Sequence, residues 1–169
     1  DYSNASQRLS LDLSAREGAG GIAASLLGLP GTPAASLEIR GEGPFSDFAA
    51  DVALATDGVD RLAGQITVKA ADKDATAFAA DLSGDLAPLF LPDYAAFFGN
   101  RVALEVTGQR AADGRLDLTG LDLSAKALTL QGALSLGADG LPRRFALTGR
   151  IAAADGAPVL LPLTTDLPV

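Results

Sequence analysis

The chain has 169 residues, 48% of them hydrophobic and 20% charged, a balance that belongs to folded rather than disordered chains. It contains no Cys and no His, which excludes thiol and imidazole nucleophiles, an imidazole base, zinc fingers and haem ligation by those residues, and leaves the redox compartment undecided. A formal net charge of −8 argues against nucleic acid, whose phosphates require clustered Lys and Arg.

The first periodic segment lies in Arg8 to Ala15, where Leu9, Leu11 and Leu13 alternate with Ser10, Asp12 and Ser14. Alternation with period two marks a strand with one apolar face. Gly18 to Leu37 then runs for twenty positions without a charge. Its apolar part is only Ile22 to Leu29, ended by Pro30, Gly31, Thr32 and Pro33, so a short helix over Gly21 to Leu29 is expected and not a membrane span. Gly18-Ala19-Gly20-Gly21 precedes that helix without a following Lys-Ser/Thr, and reads as a loop entering a helix, not a phosphate cradle. No basic segment leads into an apolar core at the start, so no signal peptide is visible.

Strand alternation resumes at Leu37/Ile39, Val52/Leu54, Ile66/Val68 and Phe78/Ala80/Leu82. Leu86 to Phe98 breaks it. Asp93 can cap, Tyr94, Phe97 and Phe98 fall at i, i+3 and i+4, and Gly99 follows as a stop, which predicts a second helix. Beyond it the alternation returns at Val102/Leu104/Val106, Leu116/Leu118, Leu121/Leu123, Leu128/Leu130, Leu134/Leu136 and Phe145/Leu147. About nine strands are expected. Asp-Gly pairs at 57–58, 113–114, 139–140 and 155–156 supply hairpin turns, and such short links favour an antiparallel meander.

The elements recur. Leu37-Glu38-Ile39-Arg40-Gly41 aligns with Leu104-Glu105-Val106-Thr107-Gly108, Phe78 with Phe145, and Pro88 to Pro92 with Pro158 to Pro162. The recurrence predicts a tandem unit of about 67 residues, a helix followed by four or five strands. Residues 1–17 are then the tail strand of a preceding unit, 18–85 the first unit and 86–169 the second, in an array continuing past both ends, as a chain starting at Asp1 without Met allows.

Every strand carries an apolar face, and two short helices cannot cover them all. The sheet must curve over itself, pack on a second sheet, or keep an apolar trough for something else. An acyl chain has reason to use such a trough: each CH₂ removed from water is worth about 0.8 kcal/mol, or roughly 12 kcal/mol for sixteen carbons. The expected fold is all-β with two short helices, an antiparallel meander shaped as a curved, open β-groove. Its lining would be Leu37, Ile39, Val52, Leu54, Ile66, Val68, Phe78, Leu82, Val102, Leu104, Val106, Leu116, Leu118, Leu121, Leu123, Leu128, Leu130, Leu134, Leu136, Phe145 and Leu147.

Other candidates have plainer readings. Asp72 and Asp74 around Lys73, Asp57 near Asp60, and Asp81 near Asp85 sit at apparent turns and strand ends, where Asp caps and solubilises, and the first group lacks the rest of a calcium loop. Asn4-Ala5-Ser6 is a formal glycosylation sequon, and Arg143-Arg144 reads as a polar hairpin end. Two Tyr and no Trp provide no aromatic girdles for a membrane barrel. Neither catalytic residues nor a metal or cofactor is expected.

Gly84-Asp85-Leu86-Ala87-Pro88-Leu89, Pro92-Asp93-Tyr94 through Phe97-Phe98-Gly99, Asp139-Gly140-Leu141-Pro142 and Asp155-Gly156-Ala157-Pro158-Val159-Leu160-Leu161-Pro162 carry a family resemblance. Through them nearly the whole chain resembles the TamB family (translocation and assembly module subunit) of AsmA-like, bridge-type lipid transfer proteins. The resemblance implies a periplasmic β-structure folded lengthwise like a taco, with phospholipid acyl chains in its groove. It also implies an inner-membrane anchor outside this stretch and an outer-membrane barrel partner, TamA, met through other regions. The alternative is a structural spacer or protein-binding β-scaffold with a closed core.

Overall fold

The alternating leucines organise one sheet. In the computed structural model, which describes residues 2–3, 8–44, 46–153 and 156–160, the strands are β1 (Tyr2–Ser3), β2 (Arg8–Glu17), β3 (Ala35–Pro44), β4 (Asp47–Thr56), β5 (Val59–Ala70), β6 (Thr76–Gly84), β7 (Val102–Arg110), β8 (Leu116–Ser124), β9 (Leu128–Leu136) and β10 (Pro142–Ile151). They lie side by side in chain order, every neighbour antiparallel, in a single ten-stranded sheet whose edges are β1 and β10. The sheet is open: it does not close into a barrel, and the extensive contacts of each strand are with its chain neighbours. The strand beyond the nine expected is β1, whose two residues are too few to show a period.

One apparent break in alternation is absorbed within a strand. Leu116/Leu118 and Leu121/Leu123 are out of phase in sequence, yet both belong to β8, because its register shifts between Leu118 and Leu121. The extra residue of such a bulge resets the alternation and bends the strand. Glycines permit close approach elsewhere. A Cβ at Gly64 of β5 would overlap the Asp81 carbonyl oxygen on β6, and one at Gly132 of β9 would overlap the Ala146 carbonyl oxygen on β10.

The hairpins follow the turn chemistry. Asp57 and Gly58 have φ of 51° and 75°, the two positive values of a type I′ turn. Asp57 Oδ1 also accepts the Ala34 N–H at 3.0 Å, tying this turn to the entry of β3. The β7–β8 and β9–β10 turns share one construction: Asp113 Oδ1 accepts the Arg115 N–H at 3.1 Å, and Asp139 Oδ1 accepts the Leu141 N–H at 3.1 Å. Gly156 has φ of 74°, while Asp155 lies outside the described residues.

Both helical segments differ from expectation. The first, α1, spans Ile22–Leu26, shorter than Gly21 to Leu29. It is capped from outside: the Glu17 carboxylate at the end of β2 accepts the N–H groups of Ala23 at 2.9 Å and Ala24 at 2.7 Å. Leu86 to Phe98 is not one helix. It forms 3₁₀ turns at Ala87–Leu89 and Pro92–Tyr94, then a single helical turn, α2 (Ala95–Phe98). Proline cannot donate a backbone bond and pushes the residue before it out of the helical region. Leu91, ahead of Pro92, is accordingly extended at φ −60°, ψ 145°. Asp93 caps nothing; Asp85 accepts the Ala87 N–H at 3.2 Å instead. Gly99 ends α2 at φ 65°, the position where glycine stops helices.

These segments join β2 to β3 and β6 to β7, so both lie at the same end of the sheet, and short turns occupy the other end. The core cluster is at the helical end: Phe97, Phe98, Val102, Ala127 and Val159, with Tyr94, Leu123 and Leu128 packed around it.

Candidate functional site: the apolar face of the sheet

Residues directly opposite one another in antiparallel strands share a face, so the register assigns every expected lining residue. Leu13, Ile39, Val52, Gly64, Leu82, Leu104, Leu123, Leu130 and Gly149 form one row from β2 to β10. At about 4.8 Å per strand the row is roughly 38 Å long. A parallel row runs Leu11, Gly41, Ala50, Ile66, Ala80, Val106, Leu121, Gly132 and Leu147. Phe48, Val68, Phe78, Gly108, Leu118, Leu134 and Phe145 make a third. Leu37 faces Leu54, Val102 faces Gly84, Leu116 faces Leu136, and Leu128 faces Ile151, all on the same side. Every residue expected to line a groove therefore stands on one face.

Their exposure is uneven. Val52 and Val102 are buried, most others are half-buried, and Ile66, Leu147 and Phe145 are exposed, Phe145 to 70%. The edge strand β10 is exposed along its whole length. Two regions of this face are built differently at the helical end. Under α2 the face is plugged: Phe98 stacks on Phe90 with ring centroids 4.2 Å apart and meets Phe97 edge-on at 5.0 Å, and Val159 is 1% exposed. Under α1 a cavity of about 330 Å³ remains, walled by Ala24, Leu27, Leu29, Leu37, Leu54 and Leu89.

The opposite face is polar. Its central row is Asp12, Arg40, Asp51, Gln65, Asp81, Glu105, Asp122, Gln131 and Thr148. Arg40 pairs with Asp12 at 3.5 Å and with Glu38 at 2.9 Å, and the Gln131 amide donates to Asp122 at 2.6 Å. A solvent-open concavity of about 950 Å³ lies over this side, with Asp51, Asp81, Glu105 and Arg101 in its wall. The sequence paired Asp81 with nearby Asp85; strand register instead sets Asp81 opposite Glu105. Carboxylates so far apart in the chain meet only through pairing, and no local signal marks the row.

The remaining candidates fall in plain places. Asp72, Lys73 and Asp74 are exposed in the β5–β6 turn. Among the described residues no group of three acidic side chains is placed to hold a metal ion. The N–H groups that an anion would need after Gly18 to Gly21 are taken by Glu17. Arg143 pairs with Asp139 at 2.5 Å across the hairpin end. The Asn4-Ala5-Ser6 sequon lies outside the described residues, as do Leu161 and Pro162. Asp113 is held below the usual carboxylate range, first by the Arg115 backbone N–H and then by the Arg115 side chain. No described helix is long and apolar enough to cross a membrane.

No protein-family model matches the chain, and neither a curated protein nor a solved structure does. What the chain does must be argued from this open, non-barrel groove and its two chemically opposite faces.

Proposed function

We propose that the chain is a segment of a TamB-like periplasmic bridge between inner and outer membranes, conducting phospholipid along its apolar face and supporting outer-membrane protein assembly. The carrying observation is the register, which places leucine, valine, isoleucine and phenylalanine from β2 to β10 on one side of an open sheet. Acyl chains lying across those rows would leave water for a continuous apolar surface, at about 0.8 kcal/mol per CH₂. The rows run across the strands, so a sheet that continues the meander lengthens the path without changing its chemistry. The polar rows keep the outer side in water. Contact with a barrel partner such as TamA, and an inner-membrane anchor, belong to regions beyond this chain.

Photocrosslinking in cells from Leu104, Leu118 and Leu130, followed by lipid analysis, tests the proposal. Phospholipid adducts at these positions and none from Thr107 or Gln131 on the polar face are the expected result. Protein adducts alone would favour a second reading, a structural spacer or protein-binding scaffold, to which the plugged cluster under α2 lends support.

A further inference from the structure

Among the described residues β10 has a neighbour on one side only, β9, and it is exposed along its whole length. An edge strand turns alternate N–H and C=O groups outward, a template for one more strand. On its apolar face Phe145, Leu147 and Ile151 stand exposed, and on its polar face stand Arg144 and Arg150. These arginines lie opposite Ser135 and Thr129 of β9, and neither forms an ion pair among the described residues. Elsewhere opposite charges stitch adjacent strands together: Arg8 to Glu42 at 2.9 Å and Arg40 to Asp12 at 3.5 Å between β2 and β3, and Lys69 to Asp47 at 3.4 Å between β4 and β5. On β10 the cations are in place and the acidic strand is missing.

We propose that β10 is a docking edge for an extended acidic segment of a partner protein, added antiparallel as an eleventh strand. Two of its carboxylates stand opposite Arg144 and Arg150, six positions apart, and its alternate apolar side chains extend the rows that end at Phe145 and Leu147. The chemistry disfavours two other occupants. Two-fold pairing with β10 of a second copy, over the full length of the strand, sets Arg144 opposite Arg150 twice, and like charges directly opposite destabilise a sheet. The chain's own residues 161–169 offer one acidic side chain, Asp166, and include Pro162 and Pro168, which lack the N–H that a ladder needs. The edge does not depend on what the apolar face carries, so the inference stands apart from the bridge reading.

Fluorescence anisotropy of a labelled peptide, Thr-Glu-Leu-Thr-Val-Thr-Leu-Glu-Ile-Thr, titrated with the purified chain is the test. Saturable binding is expected, about tenfold tighter than for the same peptide with Lys in place of both Glu. Combining Arg144→Glu with Arg150→Glu reverses the preference, so that the Lys peptide binds the more tightly. N-methylation of alternate peptide residues abolishes binding in one frame and spares it in the other, because one side of an added strand carries the ladder. This comparison uses the unaltered chain and decides the matter if circular dichroism shows the doubly substituted variant to be unfolded. No binding at about 1 mM overturns the inference, as do equal affinities for the two peptides or methylation frames that behave alike. A dimer in sedimentation velocity that excludes the peptide assigns the edge to a second copy and overturns it as well. Lipid adducts from Leu104, Leu118 and Leu130 report on the apolar face, so either proposal can fail while the other holds.

Discussion

Replacing Leu104 by Arg separates an open face from a closed core. Leu104 lies mid-row on β7, half-buried between Leu82 and Leu123. Full burial of a leucine is worth about 1.5–3 kcal/mol, so a half-buried one stands to lose roughly 1–1.5 kcal/mol. The arginine stem recovers part of this by lying along the neighbouring leucines while its head stays in water. A net cost near 1 kcal/mol follows, a drop of roughly 0.3–1 M in the urea midpoint at an unchanged slope. In a packed core the same change would strand an unpaired charge at about 3–5 kcal/mol, much of the stability of an ordinary domain. Urea titration followed by far-UV circular dichroism measures the difference. A variant already unfolded at 25 °C, or a midpoint lowered by more than about 2 M, would refute the open-face reasoning.

Three further outcomes follow from the same structure. Phe98→Ala removes a buried ring stacked on Phe90 and should cost about 3–5 kcal/mol in denaturant unfolding, whereas Phe145→Ala, 70% exposed, should fall within about 0.5 kcal/mol. Glu17→Ala leaves the Ala23 and Ala24 N–H groups without their acceptor, a loss of about 1–2 kcal/mol read as faster hydrogen exchange in α1 with the strands unchanged. Asp113 titrates below the ordinary carboxylate value, so its contribution to stability is present above that value and is lost as pH falls through the lowered one. Because the Arg115 backbone N–H is the largest cause, Arg115→Ala should return only part of the shift by NMR titration, while Arg115→Pro returns most of it.

Strand chemistry is local: period-two alternation with short links specified an all-β antiparallel meander, and every residue it assigned to the lining shares one face by the register, which adds Leu11, Leu13, Phe48 and Ile151 to them. Asp57-Gly58 specifies its turn for the same reason: two positive φ values are a property of those two residues. The stretch Leu86 to Phe98 has the aromatic spacing of one helix but does not form it, because Pro88 and Pro92 break a helix by missing donors and steric clash.

Pairing decided the rest. The phase change between Leu118 and Leu121 looks like the end of a strand until β9 supplies the register that makes it a bulge. Glu17 gives no sign in sequence of serving α1, since the chain must first turn back past Gly18 to Gly21 to bring the carboxylate onto the Ala23 and Ala24 amides. The meeting of Asp81 with Glu105 and the unfilled space under α1 arise between segments remote along the chain. Alternation tells each strand which side is apolar; only the assembled sheet determines which residues stand beside one another, and whether aromatic rings or empty space lie beneath a helix.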